Sequence, residues 1–140
     1  MGIVARELRV AFKMLVVKTS WSRFGRPDGL YSEVEDRYGI HGGDFETSVM
    51  LHFRPELVDM TKAQDFYSSV QRAEEEFDLL KPTGTHAFAW MASDLNAHGV
   101  VGEASKATAQ KGRLTAEHQA EGFIRLLQDV RKAKLADWIK

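Results

Sequence analysis

The sequence predicts a layered α/β fold with parallel strands, formed as a single domain over residues 1–140. Helical and strand-like segments alternate along the chain, and two short apolar runs lack helical periodicity. No internal repeat or domain-separating linker interrupts the 140 residues. Only two strands are evident, which is few for a sheet of this class.

Two helices are predicted in the first half of the chain. Residues 1–13 place Val4 and Leu8 on one helical face, although no capping residue precedes them. Residues 44 to about 53 show the same periodicity, with Asp44 as the predicted N-cap.

A third helix is predicted from residue 104 to about residue 136, as one long helix or two abutting ones. Its first half carries small residues at every fourth position, which allow close packing on a neighbour: Ala104, Thr108, Gly112, Ala116 and Ala120. Its second half presents an apolar face that predicts burial in the core, formed by Phe123, Ile124, Leu127 and Val130.

The strands are predicted at residues 14–19, a continuous apolar run, and at residues 86–91. Residues 20–40 separate the first strand from the next helix, and they are rich in aromatic and charged side chains. A connection of this length is uncommon in a compact domain and is typical of functional segments.

Composition excludes several classes of function. A net charge of -1 gives no electrostatic surface for nucleic acid or an acidic membrane. The absence of cysteine excludes disulfides, thiolate metal sites and a cysteine nucleophile. No apolar run reaches the length of a membrane span and no signal peptide is evident, so a cytoplasmic location is expected.

The strongest candidate site is the segment from His41 to Glu46. A loop histidine and a glutamate in the first turn of a helix can together transfer a proton or bind a polar substrate. Gly42 and Gly43 lie between them and allow close approach of the backbone to a ligand. The alternative is a turn histidine beside a glutamate that a helix N-terminus favours in any case.

Two aromatic residues of the preceding loop are candidate substrate contacts. Trp21 follows the first predicted strand, and ligands of open α/β sheets bind beyond the carboxyl ends of strands. Trp21 is therefore expected either to form a pocket wall or to cover the core. Tyr38 lies just before His41 in the same aromatic loop. No metal-binding spacing links the remaining histidines, which are His52, His86, His98 and His118.

The segments His41–Ser48 and Gly99–Gly112 together resemble motifs of the creatininase family. The first is His41–Ser48 with the following Arg54–Val58, similar to the family's His-Ala/Gly-Gly-x-x-Glu-Thr-Ser helix. The second is Gly99–Gly112, similar to Gly-Val-x-Gly-Asp-Pro-x-x-Ala-Thr-Ala-x-x-Gly, with Glu103 and Ala104 in place of Asp-Pro. The helix and strand before the loop are also similar, and the segments occur in the family's order.

The resemblance implies a partial three-layer α/β/α fold and a metal-dependent amidohydrolase that cleaves a C–N bond in a cyclic amide, a formamide or a short peptide. It implies a divalent metal, Zn or Mn, and a homo-oligomer. His41 and Glu46 match the family's catalytic histidine and glutamate, and Trp21, Tyr38, Gly42 and Gly43 are the expected substrate-binding residues.

The sequence resembles only the C-terminal half of the family, and the motifs that hold the metals are absent from it. A truncated or split enzyme, inactive alone, is therefore expected, with a small-molecule amide substrate and an assembly with copies of itself or with a chain supplying the missing half. Two alternatives remain: a non-catalytic scaffold subunit on a degenerate half-fold, and an unrelated α/β binding domain with its pocket at residues 20–40.

Overall fold

The structure is a computed structural model that describes residues 2–134 and 136. Three of its helices match the periodic segments of the sequence, and shorter helices lie between them. The α-helices of the described residues are α1 (Gly2–Phe12), α2 (Glu33–Tyr38), α3 (Asp44–Phe53), α4 (Val70–Glu76), α5 (Ala92–Leu95) and α6 (Ala109–Lys132). None of them is long and apolar enough to cross a membrane.

The helix predictions at both ends of the candidate site are confirmed, with corrected starts. α3 covers the predicted residues, but its N-cap is Gly43 and Asp44 is already helical. α6 begins at Ala109 because Ala104–Lys106 forms a separate 3-10 turn. The predicted loop at residues 20–40 contains a 3-10 helix, Trp21–Phe24, and the whole of α2.

The predicted parallel sheet is not found among the described residues. Their only sheet is antiparallel and pairs β1 (Asp65–Phe66) with β2 (Gly102–Glu103). Residues 14–19 form neither helix nor strand, and no described residue hydrogen-bonds to their backbone. Residues 86–91 contribute one isolated bridge, from Ala87 to Lys81. An apolar run forms a strand only where a neighbour shares its backbone hydrogen bonds. Among the described residues, the run at 14–19 has no such neighbour, and the run at 86–91 forms a bridge with Lys81 alone.

The described residues divide into two compact units, which we call the central unit, residues 27–116, and the terminal unit, residues up to 26 and from 117 onward. The small core of the central unit consists of Val70, Leu95 and Val101. Tyr38, Ile40 and Trp90 pack against these residues, so the core lies beneath the end of α2 and the start of the His41 loop.

In the central unit, α6 packs closely against α3. A Cβ on Gly112 would overlap the backbone carbonyl of Ser48, so only glycine permits this approach. The predicted close packing of the small-residue stripe is therefore confirmed at Gly112, and Thr115 and Ala116 on the next turn are buried.

The terminal unit contains an aromatic cluster of Trp21, Phe24 and Phe123, with ring centroids 5.9–6.4 Å apart. The predicted burial of the apolar face of α6 is wrong for its larger side chains, since Ile124 and Leu127 are about half exposed. α1 buries no residue at all. The apolar residues do share one face of each helix, as the periodicity indicates. Too few other residues of the terminal unit pack against these faces to bury them.

Candidate functional site

His41 is fixed through its backbone, and its side chain is exposed. The Val101 amide donates to the His41 carbonyl at 2.7 Å, and the His41 amide donates back at 3.4 Å. Among the described residues, the imidazole has no hydrogen-bond partner of its own. Both ring nitrogens are therefore available to a ligand, while the main chain below them is held against the core.

Glu46 closes the loop that carries His41. Its Oε2 accepts a hydrogen bond from the Gly42 amide, and Thr47 Oγ1 donates to the Gly42 carbonyl at 3.2 Å. Gly42 has a φ of +72°, a left-handed conformation that glycine adopts without strain. The predicted His41–Glu46 pair is thus brought together through the peptide group of Gly42, not by direct contact of the two side chains.

A residue that the sequence reasoning missed, Glu35, is fully buried beside this loop. Its Oε1 accepts the Phe45 amide at 3.0 Å, and its Oε2 accepts the Glu103 amide at 2.8 Å. A Cβ on Gly39 or Gly43 would overlap the Glu35 carboxylate. Gly43 was predicted as a substrate contact, but in the structure its lack of a side chain makes room for this carboxylate.

A buried polar cluster joins the two motifs that carry the family resemblance. Asp44 forms an ion pair with Lys111, and Ser48 Oγ donates to Asp44 Oδ1 at 2.8 Å. The same Ser48 hydroxyl accepts the Thr108 amide at 3.0 Å, and the Lys111 ammonium also donates to the Lys106 carbonyl at 3.0 Å. An ion pair and hydrogen bonds therefore join the start of α3 to the start of α6, next to the candidate site.

Tyr38 lies at the end of α2, and its hydroxyl donates to Glu74 Oε2 at 2.8 Å. The hydrogen bond to Glu74 raises the pKa of Tyr38 above its ordinary value of 10.0, and the same bond lowers the pKa of Glu74 below 4.5. Tyr38 also lines a cavity of about 310 Å³, together with Val34, Asp65, Phe66, Tyr67, Ser68, Gln71, Gly102 and Glu103. Its ring is therefore available to a ligand, whereas its hydroxyl is already engaged.

Glu103 at the edge of that cavity is held by Lys106 Nζ at 2.5 Å and by the Ser32 hydroxyl. Burial, the largest influence, raises the pKa of Glu103, but the bonds from Lys106 and Ser32 outweigh it and leave the pKa below 4.5. Glu103 stands where the family motif has aspartate, and it keeps a carboxylate at this position.

Trp21 belongs to the terminal unit, where it begins the 3-10 helix Trp21–Phe24. Its ring packs on Phe24 and Phe123, and 48% of its surface remains exposed. Within this unit the ring therefore covers part of an apolar cluster, and the pocket wall stays a prediction.

The described residues do not fit a metal centre. Nowhere in residues 2–134 or at residue 136 do three or more His, Asp or Glu side chains converge in a way that could hold an ion. The buried carboxylates that are present already have partners, with Asp44 paired to Lys111 and Glu35 accepting two backbone amides.

Several solved structures share the fold of this chain. The chain is similar to a Bacteroides fragilis protein described as a creatinine amidohydrolase, with 26% identity, a TM-score of 0.68, and coverage of 94% of this chain and 49% of that one. It is also similar to a structure named Creatininase Mn, with 25% identity, a TM-score of 0.59, and coverage of 91% and 48%. A creatininase variant of the Zn-Zn type gives 26% identity, a TM-score of 0.61, and the same coverage.

The chain thus spans about half the length of the solved structures it matches. No curated protein sequence matches it significantly. The model of the creatininase family, described as creatinine amidohydrolase, matches residues 1–127 and so includes the His41 loop, Glu46 and the Gly99–Gly112 motif. Over that length, and with the fold it shares with these structures, the chain belongs to the creatininase family.

Proposed function

We propose that this chain carries the substrate-side groups of an amidohydrolase that cleaves the C–N bond of a small amide, such as a cyclic amide, a formamide or a short peptide. The observation that carries the proposal is the family match over residues 1–127, combined with an exposed His41 on a loop closed by Glu46.

His41 is the proposed proton-transfer group. A neutral imidazole accepts a proton from an attacking water, and the imidazolium then donates it to the departing nitrogen. This role requires a reachable side chain on a fixed main chain. The exposed imidazole and the two backbone hydrogen bonds to Val101 supply both.

Glu46 is proposed to position His41 and to bind substrate. Its Oε2 holds the Gly42 amide, which fixes the peptide directly after His41. Oε1 has no hydrogen-bond partner among the described residues and is proposed to accept one from a substrate N–H. The backbone of Gly42 and the ring of Tyr38 are the proposed further contacts of the substrate.

The divalent metal of the reaction is proposed to be held by groups outside the described residues. Relatives are named for Mn and for Zn, and a bound divalent metal would supply polarisation of the amide carbonyl and an activated water. The described side chains offer no set of converging ligands, so this part of the chemistry is assigned to another segment or another chain.

An activity assay tests the proposal. Hydrolysis of creatinine, a formamide and a dipeptide is measured with Mn²⁺ or Zn²⁺, for the chain alone and for the chain coexpressed with the polypeptide encoded directly upstream of it. We expect turnover only in the second case, and His41→Ala should lower kcat by about 10²–10⁴-fold. The exposed His86→Ala is the matched control and should leave turnover unchanged.

Two outcomes contradict the proposal. Turnover by the chain alone, with stoichiometric metal and loss of activity in His41→Ala, would show that the chain is sufficient by itself. Restored turnover that is insensitive to His41→Ala would remove His41 from the reaction.

A second role, as an interaction subunit, is favoured by the apolar surface of the terminal unit. Val16 and Val17 line a groove of about 400 Å³ with Val4 and Leu8 of α1. They also line a groove of about 650 Å³ with Leu126 and Val130 of α6 and with Ala133, which follows that helix. Exposed apolar side chains grouped in one region are a feature of protein interfaces.

We propose that residues 14–19 pair with an apolar β-strand in these grooves and so join a parallel sheet, formed either with a second copy or with a chain supplying the rest of the fold. Light scattering gives the mass of the assembly. Val17→Asp should dissociate it, whereas Leu57→Asp, on an exposed position of the central unit, should not. A monomeric wild-type chain that binds no upstream polypeptide would contradict this role.

A further inference from the structure

The Glu35 carboxylate occupies a space that three glycines leave open. These glycines come from three places in the chain: Gly39 ends α2, Gly43 precedes α3, and Gly102 lies in β2. A Cβ on Gly39 or Gly43 would overlap the carboxylate, and one on Gly102 would lie 2.7 Å from Oε2. For Gly39 and Gly43, all three of the nearest atoms belong to Glu35.

The two amides that Glu35 accepts belong to the two elements that flank the candidate site. Phe45 lies in the first turn of α3, directly before Glu46, and Glu103 lies in β2, two residues after the Val101 partner of His41. A negative charge is favoured at the N-terminus of a helix of this length, where free amides point outward. One buried side chain therefore connects α2, α3 and β2 around the loop that carries His41.

A second bond strengthens the same connection. Ser32 caps α2 by accepting the Glu35 amide at 3.0 Å, and its hydroxyl donates to Glu103 Oε2. The backbone amide of Glu103 is thus bonded to Glu35 of α2, and its carboxylate is bonded to the Ser32 cap of the same helix. The backbone of Glu35 is in turn held by the Ser32 cap, and its carboxylate lies close against the three glycines.

We propose that Glu35 is a positioning residue for the proposed reaction, one that sets the place of His41 and Glu46 by linking α2 to the start of α3 and to β2. This inference rests on the proposed function for its purpose. Its physical content, that the Glu35 carboxylate fixes the His41 loop, is measurable without any turnover.

The first test is a double-mutant cycle on the full chain. Gly43→Ala places a methyl group where the Glu35 carboxylate lies, and it should lower the urea midpoint clearly. In the Glu35→Ala background that space is vacant, so adding Gly43→Ala should lower the midpoint much less, by only the cost of replacing a glycine N-cap. An equal loss in both backgrounds would show that Gly43 does not serve the carboxylate, and would overturn the proposal.

The second test asks whether Glu35 acts on His41 itself. In Glu35→Gln, which keeps the side-chain shape and one acceptor oxygen, the amide signals of Phe45 and Glu103 and the ring signals of His41 should all shift in NMR spectra. The matched control, Glu33→Gln, changes an exposed residue of the same helix and should shift none of them. Shifted amides with unchanged His41 ring signals would reduce Glu35 to a purely structural residue and overturn the positioning role.

A kinetic arm separates this inference from the proposed function. In the coexpressed, active assembly, Glu35→Gln should lower kcat with little change in KM, since it misplaces a proton-transfer group and not a binding surface. If no assembly is active, the proposed function fails, while the two tests above still decide the role of Glu35.

Discussion

Lys111 on α6 forms an ion pair with Asp44 in the first turn of α3, and only 1% of the Asp44 side chain is exposed. Asp44 also accepts the Ser48 hydroxyl, so its two oxygens are engaged by different partners. The pair joins the His41–Ser48 motif to the Gly99–Gly112 motif, and it holds together two segments that are distant in sequence.

Breaking this pair from one side should be strongly destabilising. Lys111→Met leaves the Asp44 carboxylate buried without its cation, which costs about 3–5 kcal/mol. Adding Asp44→Asn should recover part of that loss because the charge is then removed as well. Urea unfolding measures both variants.

A surface pair provides the control for the Lys111 result. Lys62 pairs with Asp59 at 3.2 Å, but the side chains are 83% and 50% exposed. Lys62→Met should therefore change the free energy of unfolding by less than about 1 kcal/mol. Similar losses at Lys62 and Lys111 would contradict the burial argument.

The contact between α3 and α6 predicts that Gly112→Ala destabilises the chain. Alanine is the better helix former by about 1 kcal/mol, so in an isolated helix the change would stabilise. Here its Cβ would overlap the Ser48 carbonyl, and overpacking against a backbone atom costs about 1–3 kcal/mol or more. Thermal unfolding should show a lower midpoint, and a raised midpoint would mean that the helices are not in contact there.

These packing relationships mark the limit of what the sequence could predict. The helices α1, α3 and α6 could be predicted because the spacing of apolar residues within each segment is enough to indicate a helix. The strands that the sequence predicts at residues 14–19 and 86–91 are not formed, because a strand depends on a partner that no local pattern specifies.

The role of Glu35 was missed for a similar reason. The amides it accepts lie 10 and 68 residues away along the chain. A local signal was nevertheless present, because Ser32 and Glu35 have the Ser-x-x-Glu spacing of a helix start. Reading that spacing would have placed α2 inside the predicted loop, although it would not have shown where the carboxylate goes.

The same spacing gives a prediction for Ser32. Ser32→Ala removes the cap of α2 and the hydroxyl bond to Glu103 at once. Loss of a helix cap costs about 1–2 kcal/mol, and urea unfolding should show a loss in that range. Ser32→Thr keeps the hydroxyl and should retain most of the stability. If alanine and threonine destabilise equally, the cap does not contribute.

Stability should also depend on pH through the hydrogen bond between Tyr38 and Glu74. Because this bond lowers the pKa of Glu74 in the folded chain, its contribution is present above pH 4.5 and is lost as the pH falls through the lowered value. Because it raises the pKa of Tyr38, the contribution is present below pH 10.0 and is lost as the pH rises through the raised value. The bond therefore stabilises the fold between the lowered pKa of Glu74 and the raised pKa of Tyr38.

Tyr38→Phe tests this directly, since it removes the hydroxyl and keeps the ring. The difference in urea midpoint between wild type and Tyr38→Phe should be largest near neutral pH and should shrink below pH 4.5 and above pH 10.0. Arg37 also pairs with Glu74, at 2.7 Å, and Tyr38→Phe leaves this ion pair in place. The variant should therefore keep some sensitivity of its stability to acid. Tyr67→Phe, on an exposed ring, is the control and should show no such dependence. A difference that stays constant across the range would mean that the hydroxyl does not bond to an ionised Glu74.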